Sequence, residues 1–192
     1  MNLFSLEHGK LGYWTDFALY GAAVALLAGL QLRAPRGQWL EDAVLSVSGL
    51  AGWTLIEYGM HRFVLHGLPP FNGWHAQHHL RPSALISAPT ALSASLILVL
   101  VFVPAWLLAG TGPATALTFG VLVGYLAYAV AHHGTHHWRA DNIWSRRRKH
   151  WHAVHHHSTQ VGCCYGVTSG FWDRVFRTAP KATRAGHSNP DD

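Results

Sequence analysis

Charge is scarce in this chain. Only 12% of its 192 residues are Asp, Glu, Lys or Arg, about half the share usual in a soluble domain. That deficit argues against a water-facing globule and for a lipid solvent. It also argues against a nucleic-acid binder despite the formal net charge of +5, because such a protein needs a basic face on a soluble domain. Cysteine is almost missing too. Cys163 and Cys164 are the only two and they are adjacent, which excludes a disulfide framework and a CxxC metal pair. A reducing, cytoplasmic setting suits that end of the chain. No GxGxxG, P-loop or CxxCH occurs, so the usual dinucleotide, nucleoside-phosphate and c-type haem signatures are absent.

Apolar residues make up 49% of the chain. They gather in four segments: Asp16 to Leu32, Trp39 to Met60, Ala88 to Ala109 and Pro113 to Ala131. Each is near the roughly 20 residues a helix needs to cross a bilayer. The second is the weakest, with Ser46, Ser48, Thr54 and Glu57 inside it. The short Gly110-Thr111-Gly112 link predicts a tight hairpin of the last two. No charged n-region with a cleavage pattern precedes the first, which reads as a retained helix. With four spans the termini share one side. Twelve of the 14 Lys and Arg fall on that side, and only Arg33 and Arg36 on the other. The positive-inside rule then predicts cytoplasmic termini. The length suits one domain, read as 1–178 with a polar tail at 179–192.

Histidine is abundant, at 16 residues, 14 of them between His61 and His157. They form four groups: HRFVLH from His61 to His66, HAQHH from His75 to His79, HHGTHH from His132 to His137, and HAVHH from His152 to His156. All four fall on the predicted cytoplasmic side. His75 with His78 and His79, and His152 with His155 and His156, have the i, i+3, i+4 spacing of one helix face. Neutral imidazole is the commonest side-chain ligand for iron, zinc, copper and nickel. His61, His66, His75, His78, His79, His132, His136, His152, His155 and His156 make ten candidate ligands, which suits two metals at five nitrogens each. Protonated histidines beside Arg146, Arg147, Arg148 and Lys149 would repel one another, so the neutral, metal-binding form is favoured. His133, His137, His150 and His157 lie beside the spaced positions and read as ligands, outer-sphere donors or bystanders. His8 and His187 read as surface residues. A metal transporter or metal store is the competing class, but it needs polar ligands within its spans, and these spans have few.

The four groups, in this order among these segments, resemble the boxes of the integral-membrane fatty acid hydroxylase / sterol desaturase superfamily. GVTSGFWDRVF, from Gly166 to Phe176, is similar to that family's closing segment. The first two boxes are also similar to those of bacterial carotenoid hydroxylases. The resemblance covers roughly residues 53–178. It implies an all-α membrane protein of about four spans with a cytoplasmic histidine-rich cap. It implies two irons (zinc substituting in isolated protein), O2 as co-substrate, and hydroxylation or desaturation of a lipid C–H bond. It implies the ten histidines above as ligands. His132 with His136 is preferred over His133 with His137, because Tyr128 stands four residues before His132, as a tyrosine does in the family. Ala129 replaces an acidic residue often found there. Glu57, one turn before His61, and Asp173 are candidates to orient ligands from outside the metal sphere, a surface or helix-capping role being the alternative for each. The chain holds no HPGG haem motif, so the two electrons are expected from a separate ferredoxin, or a cytochrome b5-like donor with its reductase. Arg146 to Lys149 is a candidate dock for such an acidic donor or a topology signal.

Overall fold

The computed structural model describes residue 7, residues 9–157 and residues 162–180. His8, His187, Lys181, Arg184 and the tail beyond 180 lie outside the described residues. Among the described residues there are seven helices: α1 Lys10–Leu32, α2 Trp39–Gly59, α3 Phe71–Leu80, α4 Thr90–Ala109, α5 Thr111–His137, α6 Ile143–His157 and the short α7 Phe171–Val175. A 3-10 turn, Arg36–Gln38, leads into α2. Among the described residues there is no strand, only an isolated bridge between Glu7 and Ile86.

Among the described residues, three helices are long and apolar enough to cross a membrane: α1, α4 and α5. Leucines stand exposed along α1 and α4, at Leu19, Leu26, Leu30, Leu98, Leu100 and Leu107 among others. Such a continuous apolar exterior suits lipid rather than water. The second apolar segment forms α2, equally long at 21 residues. It carries Glu41, Asp42 and Glu57 and does not reach the same apolar standard. The α4–α5 hairpin is tighter than the sequence suggests. Gly110 alone lies between the helices, at φ +84, a conformation glycine adopts without steric cost.

The helix α2 runs along α5 in very close contact. A Cβ on Gly49 would strike the Leu117 carbonyl, and one on Gly120 would strike the Ser46 carbonyl. Small residues let membrane helices approach until their backbones touch. Tyr20, Trp53, Ile97, Val121, Leu122 and Tyr125 form the core between α1, α2, α4 and α5. Tyr20 and Tyr125 both reach Ser93 Oγ, at 2.7 and 3.4 Å, and Thr90 Oγ1 donates to Asp16 at 2.6 Å. Polar groups buried in an apolar interior must be paired in this way. The packing fixes the ends of α2 and α5 side by side, and both ends carry histidines.

Candidate metal centre

Beyond Gly59, α2 continues as a π-helical turn, Met60–Leu65. This explains a spacing that ordinary helix geometry does not. Residues five apart diverge on an α-helix but are the hydrogen-bonded neighbours of a π-helix. His61 and His66 therefore lie on one side, with ring centres 5.2 Å apart. Helix α3 presents His75, His78 and His79. The last turns of α5 present His132 and His136, and the last turns of α6 present His152, His155 and His156.

These side chains sort into two groups. His61, His66, His75, His79 and His155 each offer a ligand atom, all within 4.8 Å of one another; so do His78, His136, His152 and His156. His132 Nε2 lies 3.1 Å from His78 Nε2, which brings it to the second group. Each group takes four histidines from one half of the chain and one from the other. His155 crosses to the first group and His78 to the second.

The atoms that converge are Nε2 throughout. In the first group His75 Nε2 lies 3.0 Å from Nε2 of both His61 and His79, and His66 Nε2 lies 3.1 Å from His155 Nε2. In the second, His152 Nε2 lies 2.7 Å from His136 Nε2 and 3.1 Å from His156 Nε2. A neutral imidazole has one donor and one acceptor. Nitrogens bound to a first-row metal at about 2.1 Å, at right angles, lie about 3 Å apart. The donor set and spacing fit a metal ion in each group, and the all-nitrogen chemistry suits iron, zinc, copper or nickel.

The flanking histidines go elsewhere. His133 Nδ1 pairs with the Tyr13 hydroxyl at 3.0 Å, and its ring packs on Trp14 and Phe17 of α1. His137 stacks on His133 and is exposed. His150 and His157 are exposed. Arg146 and Arg147 are also exposed. The basic run is not a uniform surface, however. Arg148 is buried, its guanidinium 4.9 Å from the Trp151 ring and its Nη1 donating to the Gly166 carbonyl at 3.4 Å.

Among the described residues, neither Glu57 nor Asp173 hydrogen-bonds a histidine. The contact expected between Glu57 and His61 is replaced by a longer route. His61 Nδ1 donates to the Tyr165 carbonyl at 2.6 Å, and His155 Nδ1 to the Cys163 carbonyl at 2.9 Å. Glu57 instead accepts from the backbone N–H groups of Val167 and Thr168, at 2.7 and 2.9 Å, and from the Thr168 hydroxyl. Asp173 accepts from the N–H groups of Tyr165 and Gly166, at 2.8 and 2.9 Å, and from Thr178 Oγ1 at 2.8 Å. Sequence reasoning missed these two carbonyls. A carbonyl belongs to every residue, so no residue type marks it.

Burial, reinforced by neighbouring imidazoles, holds these histidines neutral. It pushes His66 and His79 down to about 4, His78 to about 3 and His156 to about 2. His61, His75 and His152 are pushed down as well, burial again being the main cause. Free imidazole titrates near 6.5. Between about 6.5 and these lowered values the unfolded chain binds more protons than the folded one. Stability of the metal-free protein therefore falls as pH falls from about 6.5 toward about 3. Thermal unfolding of metal-free protein at pH 7.5 and 5 checks this: the midpoint should be lower at pH 5, and a higher one would contradict a neutral cage.

A cavity of about 170 Å³ opens onto the second group, lined by His136, His152, His156 and His157 among others. A second, of about 270 Å³, lies between α5 and α6 against Ala127, Val130, Ala131, Trp138 and Trp144. Thr135 lines both.

An all-helical chain with membrane-length helices and two histidine groups able to hold metal defines a narrow class of protein. The model of the fatty acid hydroxylase family matches residues 46–178, and the chain belongs to that family. It is 33% identical over 167 residues to dihydroceramide fatty acyl 2-hydroxylase FAH2 of Arabidopsis thaliana, covering 79% of this chain and 67% of that one. It is 33% identical over 150 residues to the ceramide very long chain fatty acid hydroxylase scs7 of Schizosaccharomyces pombe, covering 69% of this chain and 41% of that one. Among solved structures, full-length scs7p, with only its hydroxylase domain visible, superposes with a TM-score of 0.72 at 29% identity. That match covers 88% of this chain and 67% of scs7p. The chain thus spans between two fifths and two thirds of these relatives' lengths.

Proposed function

We propose that the chain hydroxylates a fatty acyl chain of a membrane lipid, at the carbon next to the carbonyl, using O2 and two electrons from a separate donor. The balance is R–H + O2 + 2 electrons + 2 protons giving R–OH + H2O. The observation that carries this reading is the convergence of ten imidazoles into two groups of five. The names of the relatives support hydroxylation over desaturation and a ceramide-type acyl substrate over a sterol or carotenoid.

His61, His66, His75, His79 and His155 would hold one iron, and His78, His132, His136, His152 and His156 the other. Bound there, two irons supply the redox chemistry that activates O2 toward an unreactive C–H bond. The rest falls to the protein. The low basicity of the buried imidazoles keeps their nitrogens unprotonated and available near neutral pH. The apolar wall of α5 and α6 gives an acyl chain a surface beside the second group, with Thr135 at the boundary. Exposed Arg146 and Arg147 give an acidic ferredoxin or cytochrome b5-like donor a place to dock. We place the termini and the histidine cap in the cytoplasm, with α2 as a fourth span, on the asymmetry of basic residues. Residues 1–178 then form one membrane domain with a polar tail.

Lipid profiling of cells with and without the protein, grown under labelled O2, tests the reading. Ceramide acyl chains should gain one oxygen atom carrying the label. Loss of two hydrogens without added oxygen would make it a desaturase. Metal flux into liposomes without oxygen consumption would make it a transporter.

A further inference from the structure

The two histidine groups match in donor number and differ in what stands behind the donors. In the first group, two Nδ1 atoms face backbone carbonyls, Tyr165 behind His61 and Cys163 behind His155. A carbonyl only accepts, so both Nδ1 atoms carry the proton and both Nε2 atoms present a lone pair. In the second group the Nδ1 atoms of His78, His152 and His156 are buried and meet no acceptor among the described residues. A hydrogen bond to the far nitrogen of a ligating imidazole fixes its tautomer and raises its basicity.

Both carbonyls belong to one segment, 163–168, and that segment is firmly tied. Glu57, 4% exposed, and Asp173, 0% exposed, accept six hydrogen bonds between them, five from residues of this segment and one from Thr178. The Cys164 N–H adds a bond to the Thr178 carbonyl at 2.9 Å. Cys164 itself sits at φ +63, a conformation that costs a residue with a side chain energy and persists only where its surroundings over-determine it. Two buried carboxylates are costly, and their donors all come from residues that shape or anchor this segment. Among the described residues, none of the segment's hydrogen bonds reaches a histidine of the second group. That group is also the one onto which the 170 Å³ cavity opens.

We propose that Glu57 and Asp173 are positioning residues for the first metal position alone, acting through the Cys163 and Tyr165 carbonyls, so that this position binds its ion more tightly than the second. The inference rests on the two-metal reading above and deepens it. It divides the pair into a fixed ion and an exchangeable one.

The test titrates zinc(II) into the full chain in detergent, in competition with a chromophoric chelator. The wild-type chain should bind two zinc ions in two steps of unequal affinity. His136→Ala leaves the first group intact, and His66→Ala the second. Glu57→Gln replaces an oxygen acceptor with a donor facing donors. Added to His136→Ala it should weaken zinc by about 10- to 100-fold. Added to His66→Ala it should change zinc affinity by less than about 2-fold. Thr168→Val should act in the same direction more mildly, and Thr168→Ser should restore binding, which a general loss of packing would not allow. If Glu57→Gln fails to yield a folded chain, the Thr168 pair carries the comparison. Equal weakening in both backgrounds, or none with His136→Ala, overturns the inference and leaves two metals standing. Fewer than two zinc ions on the wild-type chain overturns the two-metal reading and this inference with it.

Discussion

His155→Ala should abolish turnover and lower retained metal, whereas His157→Ala should keep both within a few-fold of the parent. The two residues are two positions apart in a run of three histidines, and composition cannot tell them apart. Their surroundings can. His155 is buried, its Nε2 3.1 Å from that of His66 and its Nδ1 on the Cys163 carbonyl. Alanine there removes a donor from the first group and frees a carbonyl. Loss of an outer partner alone costs about 10- to 100-fold, so loss of the ligand should exceed the upper end. His157 is exposed at the mouth of the cavity, where truncation leaves both groups whole. Elemental analysis and turnover on the two purified variants decide it. Equal metal and equal rates would sink the assignment of the fourth box.

The second large effect lies well away from the histidines. Gly120→Leu should prevent recovery of a folded, metal-retaining protein. The Cβ alone would run into the Ser46 carbonyl and the Leu50 backbone nitrogen. Neither is a flexible side-chain end that can swing away. Overpacking typically costs about 1–3 kcal/mol, and a backbone clash between two helices should reach or pass that upper figure. Pushing α2 from α5 also separates His61 and His66 from His132 and His136, so the damage reaches both groups. Gly52→Ala is the control, because a Cβ there meets nothing within 4 Å. It should be neutral or slightly stabilising, since alanine favours a helix interior over glycine. Size-exclusion profiles and thermal midpoints in detergent distinguish them. A Gly120→Leu protein as stable as Gly52→Ala would refute the close α2–α5 contact.

The sequence carries much of this architecture in plain form. Three apolar runs are long enough to become membrane-length helices, but two of them stop short of the helices they form: α1 begins at Lys10 rather than Asp16, and α5 runs on to His137 rather than ending at Ala131. The i, i+3, i+4 spacing places the histidines of α3 and α6 on single faces, and that is how they stand. Other features leave no such trace. The π-helical turn after α2 is a backbone event, and without it HRFVLH does not read as one face. Tyr13 draws His133 toward α1 across 120 residues, a pairing that spacing along α5 cannot reveal. Glu57 lies one turn from His61, so local geometry suggests direct contact. A segment from the far end of the chain offers its carboxylate more donors than one imidazole has. Arg148 belongs by composition to an exposed basic run, yet Trp151 and the Gly166 carbonyl hold it inside.

The crossing of His155 and His78 between the two groups bears on how the chain is held closed. His66 and His155 are 89 residues apart, and His78 and His132 are 54 apart. The entropy lost in closing a loop grows only slowly with its length, so a long tether is nearly as easy to close as a short one. An ion in either group would act as a cross-link, clasping the two halves of the chain at separations where a covalent bridge greatly restricts the unfolded chain. Cys163 and Cys164 are free and supply no such bridge. In this chain the stapling of distant segments would fall to histidine and metal, and stripping the metal should loosen the fold as reduction loosens a disulfide-bonded one.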